Sequence, residues 1–329
     1  MTRIRCAVLG LGLFGRHHAA VLTSCRDADL VLCVDVDPST EEGCPRGARF
    51  STDVGALAEV QPEAVVVAVA DRAHRSAVEA ALAAGAAVLC EKPLALSLED
   101  ADAIIEAATR SGRPLLPAHT MRFEPRYRAI HDAIARGDLG ELVHLSARRA
   151  TWVPEGRRYA GQTHLELCLG VHDLDVLRWC AGEIERVHAE AAPGRMSGGR
   201  ADAIVATLRF SSGAVGVLEL SWALPEETRV AWDTYLHCIG TKRSAYAALR
   251  GTDSALLGLA GDMMPDLTYT FEIDGVPGGV VRVQDEHFLQ EVRRPGTWPG
   301  ATIEDARRAV QAALALAESC ATGKPVELL

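Results

Sequence analysis

No two of the nine cysteines, Cys6, Cys25, Cys33, Cys44, Cys90, Cys168, Cys180, Cys238 and Cys320, stand in a CxxC pair. An odd, scattered set of thiols excludes a disulfide framework and a zinc ribbon, and reads as buried thiols in a reducing cytosol. No other metal-ligand spacing stands out, so no metal is expected. Long apolar runs are missing too. The longest, Ala77 to Cys90, is broken by Glu79 and Gly85 and is too short to cross a bilayer. Positive charge is in deficit: the net charge of −10 argues against a nucleic-acid footprint or an anionic membrane surface as partner. Repeats and low-complexity segments are absent. Met1-Thr2-Arg3 lead straight into a strand-like run, which predicts a cytoplasmic chain without a leader peptide.

What remains is an ordinary globular composition, 48% hydrophobic and 24% charged over 329 residues. That length suggests two domains, enough to bury about three quarters of the unfolded surface. Up to about Thr120, short β-branched runs alternate with helical ones: Val65 to Ala70, a helix over 73–84, Ala86 to Cys90, a helix from about Leu98 to Ser111 capped by Ser97, and Leu115-Leu116. This alternation predicts a doubly wound parallel sheet with right-handed crossovers, an α/β fold. The pattern then changes. A helix over 125–136 and a strand over 142–151 precede a helix over 165–180. Strand-like runs follow at 184–191, 203–210, 214–222, 235–240 and 267–273, and a last helix covers 303–322. Such a series predicts a second, α+β domain on a mostly antiparallel sheet. The division is placed at 1–122 and 123–329, with the cleft between the two as the default site.

The first βαβ unit carries Gly10-Leu11-Gly12-Leu13-Phe14-Gly15 between a strand-like and a helix-like run, with Asp35 twenty residues after Gly15. Glycines at this spacing permit a sharp turn, close backbone approach to a pyrophosphate and tight helix–sheet packing. A helix starting near Phe14 aims its positive N-terminus at the phosphates. Asp35, or Asp37 beyond it, is placed to accept hydrogen bonds from an adenosine ribose. The pattern points to NAD. A carboxylate there disfavours the 2′-phosphate of NADP. His17 and His18, one turn into the helix, read as partly exposed bystanders.

Nicotinamide chemistry needs a group that moves the hydroxyl proton. Lys92, in Cys90-Glu91-Lys92-Pro93, follows a strand directly, and ligands of doubly wound sheets lie beyond the carboxyl ends of the strands. Pro93 fixes the local backbone and would allow a cis bond as a rigid mount. His172, in Gly170-Val171-His172-Asp173-Leu174-Asp175, shares a helix face with Asp175 and suits acid–base work or substrate orientation.

Taken together, Gly10-x-Gly12-x-x-Gly15, Glu91-Lys92-Pro93, His119-x-x-Arg122-Phe123-x-Pro125, His172-Asp173-x-Asp175 and the closing Gly323-Lys324-Pro325-Val326 resemble the Gfo/Idh/MocA family of sugar and cyclitol oxidoreductases. The resemblance implies an NAD-binding Rossmann domain followed by a substrate-binding domain whose open sheet packs subunits together into homodimers or homotetramers. It implies that Lys92 touches both nicotinamide and substrate, and that His172 is its catalytic partner. Leu13, Phe14, Glu91 and the loop holding Val69 and His74 would line the cofactor, His74 as a structural loop residue. A polyhydroxylated substrate would meet Lys92, His119, Arg122, Arg157, Tyr159, Cys168 and His172, with Arg148 nearby. Many members carry an aspartate where Cys168 stands, so Glu166, Asp173 or Asp175 would have to substitute for it. The 119–125 run resembles members acting on amino-sugar or nucleotide-linked rings. Two other uses of the scaffold stand beside a dehydrogenase: a non-catalytic nicotinamide-binding regulator, and an NAD-recycling glycosidase or lyase.

Overall fold

The computed structural model describes residues 2–227, 232–249 and 270–328. The chain forms two compact units, Met1–Phe123 with Thr268–Arg307, and Glu124–Leu267 with Arg308–Leu329. The expected linear boundary after residue 122 therefore misses a returning segment. About forty residues near the C-terminus fold with the first unit.

The first unit is built on six parallel strands, β1 (Ile4–Leu9), β2 (Ala28–Val34), β3 (Arg49–Ser51), β4 (Ala64–Val67), β5 (Ala87–Cys90) and β6 (Leu115–Pro117), in the order β3-β2-β1-β4-β5-β6. Every residue of β4 and β5 is buried. This is the demand of a sheet covered on both faces, and it explains their unbroken apolar runs. The crossovers include α1 (Leu13–Ser24), α2 (Ala56–Val60), α3 (His74–Ala83) and α4 (Leu98–Ser111). Ser97 caps α4 by accepting from the Asp100 amide, and Gly112 ends it in the left-handed region.

The second unit contains α5 (Pro125–Ala135), β7 (Leu142–Trp152), α6 (Val153–Tyr159) and α7 (Val171–Ala181). Its remaining strands are β8 (Ile184–Pro193), β9 (Ala201–Phe210), β10 (Val215–Leu224), β11 (Trp232–Gly240) and β12 (Ser244–Leu249). The sheet runs β12-β11-β7-β10-β9-β8, and a short final strand, Val326–Glu327, adds to the β8 edge. Among the described residues of this sheet only β7 and β10 pair parallel; the other pairs are antiparallel. Alternation of buried and exposed residues along β9 from Ile204 to Phe210 marks one inward and one outward face.

Two expectations are corrected. The strand read over 267–273 does not join this sheet. Its described part, Phe271–Ile273, pairs only with Val276–Gly278 in a two-stranded ribbon of the first unit, and residues 267–269 lie outside the described residues. The single helix read over 165–180 is a π-helical turn, Glu166–Gly170, running into α7. A helix absent from the sequence reading, α8 (Val280–Arg293), precedes α9 (Ile303–Thr322). Among the described residues no helix is long and apolar enough to cross a membrane.

Candidate active site

The turn from β1 into α1 depends on two glycines for space. Gly10 has φ +89°, and a Cβ there would sit 2.4 Å from the Ala68 carbonyl oxygen. A Cβ at Gly15 would lie 1.8 Å from the Gly10 carbonyl oxygen, so α1 can pack onto the turn only without a side chain. Gly12 differs: a Cβ would meet nothing within 4 Å, because its Cα faces open space. Gly12 is also the N-cap of α1 and supplies no capping side chain, and the first turn holds no acid. The leading amides of the helix thus face outward without a protein side chain to satisfy them, beside an exposed Leu13. A pyrophosphate fits such a place.

Asp35, at the end of β2, is half-buried and holds the loop. Its Oδ2 accepts from the Leu11 amide at 2.6 Å and its Oδ1 from the Asp37 amide at 3.0 Å. Each carboxylate oxygen has a lone pair left for a ribose hydroxyl. Asp37 is exposed and faces the other way in the chain, capping a short 3₁₀ turn by accepting from the Ser39 amide at 2.9 Å. The Ser39 hydroxyl, and then its amide, hold the Asp37 carboxyl below the usual range. The acid tied to the glycine loop is Asp35.

Beyond the end of β5 the Glu91-Lys92-Pro93 segment is gripped from both sides. The Lys92–Pro93 peptide is cis. Glu91 is buried; its Oε2 accepts from the Lys92 amide at 3.1 Å and its Oε1 faces His18 Nε2 at 3.1 Å. His18 Nδ1 faces both oxygens of Asp285 on α8 at 2.9 Å. His18 is fully buried, which corrects its reading as a partly exposed bystander; only His17 beside it is half-exposed. Burial opposes charge on the His18 ring, but Asp285 and then Glu91 outweigh it and lift the pKa to about 10. Burial likewise raises the Glu91 carboxyl, yet His18 and Lys92 hold it below the usual range. Asp285 is pushed up by burial despite His18. His17 is pushed the opposite way, to about 4, by desolvation and by the charge of His18. On the far side of Lys92, the buried His74 lies between the Pro93 carbonyl, 2.8 Å from Nδ1, and the Val69 carbonyl, 3.2 Å from Nε2. His74 thereby ties the loop after β4 to the lysine mount. Lys92 itself is half-buried.

His119 and Arg122 belong to this unit as well. Both are buried, and Arg122 Nη1 pairs with Asp305 Oδ2 at 3.2 Å. Asp305 also caps α9 reciprocally with Thr302. The Arg122 guanidinium is therefore engaged with a helix start of its own unit.

In the second unit, the π-helical turn holds Glu166 and Cys168, both buried, and delivers His172 to the first turn of α7, 8% exposed. Such turns recur where a helix must aim a functional side chain. Asp173 is committed elsewhere: its Oδ2 accepts from Arg149 Nε at 2.6 Å and its Oδ1 from Nη2 at 3.2 Å, both residues wholly buried. Burial raises the Asp173 carboxyl against the pull of Arg149. The pair is a buried strut between β7 and α7 that engages both oxygens of Asp173. Burial, helped by Glu155 and Cys168, raises the phenol of half-buried Tyr159. It also raises the carboxyl of Glu166. Arg157 is exposed and ion-pairs with Glu226. Arg148 lies on the sheet, bonded to Glu219 at 2.6 Å.

Comparison with known proteins supplies the rest. Residues 4–119 match the model described as an oxidoreductase family with an NAD-binding Rossmann fold, and residues 127–246 match the GFO/IDH/MocA C-terminal domain. D-apiose dehydrogenase of Paraburkholderia graminis is 32% identical over 231 residues, 67% of this chain. The matched stretch spans 61% of that protein's length. The scyllo-inositol 2-dehydrogenase (NAD(+)) of Bacillus subtilis is 28% identical across 99% of this chain and 96% of its own. The crystal structure of GenD2 from gentamicin A biosynthesis, in complex with NAD, superposes with a TM-score of 0.88 at 28% identity, covering 100% of this chain and 97% of that one. Six parallel strands with an open glycine loop, the Glu91-Lys92-Pro93 mount and a mostly antiparallel second sheet thus fall within one lineage: the chain belongs to the GFO/IDH/MocA oxidoreductase family, and its first unit carries that family's NAD-binding Rossmann fold.

Proposed function

We propose that this protein is an NAD-dependent oxidoreductase that interconverts a secondary ring hydroxyl and a ketone on a polyhydroxylated substrate, a sugar, amino sugar or cyclitol. The observation that carries the reading is the pairing of an open Gly12 with a lysine mount built from the same unit: the glycine loop has room for a pyrophosphate, and Lys92 stands on a segment clamped by Glu91 and His74.

In this reading Gly10, Gly12, Leu13, Phe14 and Gly15 hold the pyrophosphate, Asp35 takes the adenosine ribose, and Val69 and Glu91 flank the nicotinamide end. His74 acts through its two carbonyl partners. When bound, NAD supplies the hydride acceptor or, reduced, the donor. Lys92 moves the hydroxyl proton through Nζ. His172 orients the hydroxyl and assists the transfer, with Tyr159 and Cys168 as neighbours for the sugar ring. Arg122 is engaged with Asp305 and Arg157 with Glu226, so substrate contact by either would compete with an existing ion pair. A carboxylate at position 35 favours NAD over NADP by charge.

Among substrates, an aminoglycoside ring is favoured by the full-length likeness to GenD2, and by the net charge of −10, which suits a cationic ligand. The outward face of the second sheet suits self-association into a homodimer or homotetramer. Val205 on β9 and Val215 and Val217 on the neighbouring β10 stand exposed there, with Tyr246 exposed on the edge strand β12 of the same face. The free cysteines fit a reducing, cytoplasmic setting.

The test is NADH formation, read at its nicotinamide absorbance, against a panel of cyclitols, free sugars, amino sugars and sugar nucleotides. Substrate-dependent accumulation with at least one ring alcohol is expected. Binding of NAD with no accumulation on any member would favour a regulator or an NAD-recycling enzyme instead.

A further inference from the structure

We infer that His18 is a positioning residue that locks the Lys92 segment to the helix carrying the dinucleotide loop. The inference rests on the proposed role of Lys92 and goes beyond it, because it assigns a task to a residue in the middle of α1 and to a partner on α8.

The geometry is continuous. Asp285 accepts at His18 Nδ1 through both oxygens at 2.9 Å, His18 Nε2 reaches Glu91 Oε1 at 3.1 Å, and Glu91 Oε2 accepts from the Lys92 amide at 3.1 Å. A neutral imidazole has one N–H and one lone pair, so it satisfies only one of two facing carboxylates; an imidazolium donates to both. His18 and Asp285 are wholly buried and Glu91 nearly so, so an uncompensated charge at any of the three would be costly. The three groups therefore act as one unit. Within that unit Glu91 ties the position of the His18 ring to the position of the Lys92 backbone.

His18 lies one turn beyond Gly15 on the same helix. Seating a dinucleotide at the start of α1 is thus transmitted through a single ring to the segment that presents the lysine amine. His74 grips the other side through the Pro93 carbonyl.

The experiment uses the full chain and measures how fast acetic anhydride acetylates Lys92 Nζ, by mass spectrometry, with and without saturating NAD. In the wild type NAD is expected to slow labelling of Lys92 at least about tenfold. In His18→Gln the protection is expected to fall to about twofold or less, while the Kd for NAD by calorimetry stays within about threefold. Glu91→Gln should reproduce the loss, since it removes the same link one step further on. Full protection in folded His18→Gln and Glu91→Gln would overturn the inference and leave the proposed function standing. Absence of protection in the wild type would overturn the proposed role of Lys92 itself, and this inference with it. Should His18→Gln fail to fold, nitrogen NMR of histidine-labelled wild type decides. A ring with protons on both nitrogens at pH 8 is expected for His18, and a neutral ring there would refute the link.

Discussion

Asp35 and His18 show how single side chains carry this architecture. Asp35 accepts a short hydrogen bond from the Leu11 amide, so it shapes the glycine loop before any ribose arrives. Asp35→Ala is expected to destabilise the fold by about 1 kcal/mol and to weaken NAD binding by tenfold or more, checked by urea unfolding and calorimetry. His18 makes a pH prediction whose sign follows from its raised pKa of about 10 in the folded protein. A free histidine titrates near 6.5, so between these values the unfolded chain has lost a proton that the folded chain keeps. The stabilisation is complete below about pH 6.5 and declines as pH rises toward about 10. Melting temperature should therefore fall across that window. The decline should be blunted in His18→Gln, measured by circular dichroism in matched buffers. The site was only partly legible at this scale. His18 lies on the buried stripe Gly15, His18, Ala19, Leu22, a helical spacing that could have marked it as inward-facing. Its partner Asp285 is 267 residues away, and no local pattern reveals such a pair.

At the scale of the element, the turn from β1 to α1 separates folding from binding. Gly15→Ala is expected to lose both, because the new Cβ would strike the Gly10 carbonyl oxygen at 1.8 Å. Gly12→Ala should fold normally: φ is −66° and the space around the Cα is empty. Its unfolding free energy should change by less than about 1 kcal/mol, yet NAD affinity should collapse, because the methyl occupies the pyrophosphate's approach. Equal loss of stability in both variants would contradict this division. The parallel strands were readable because burial on two faces leaves continuous apolar runs such as Val65-Val66-Val67. Helix α8 was not, because its buried face includes Gln284 and Asp285 among Val280, Val281, Phe288 and Leu289 and so breaks the apolar stripe. The turn Glu166–Gly170 is illegible for another reason: all five of its residues are buried, so the phase shift of a π-helical turn has no apolar–polar contrast to show against.

For the whole molecule, the outward face of the seven-stranded sheet is the feature a lone chain explains least well. Val205 and Val217 are 52% and 38% exposed on neighbouring strands with Val215 at 47%, and Tyr246 on the edge strand β12 is 73% exposed. Val205→Glu with Val217→Glu should leave the fold intact, since exposed sites usually shift stability by about 0.5 kcal/mol or less. If this face is the proposed self-association surface, light scattering should then report a smaller species than the wild type; an unchanged mass would rule the face out as that surface. The two-part plan of the chain was legible in the switch from alternating strand–helix units to strand runs. The return of Thr268–Arg307 to the first unit was not, because chain order does not encode which core a late segment joins.

The most direct test of the whole account compares wild type and Lys92→Ala in one assay, NAD affinity by calorimetry beside turnover on the best substrate of the panel. The expected result is a Kd within about threefold of wild type and a kcat lower by about 10²- to 10⁴-fold, the scale of a lost general acid–base group. Turnover equal to wild type, or a wild-type protein with no affinity for NAD, would contradict it.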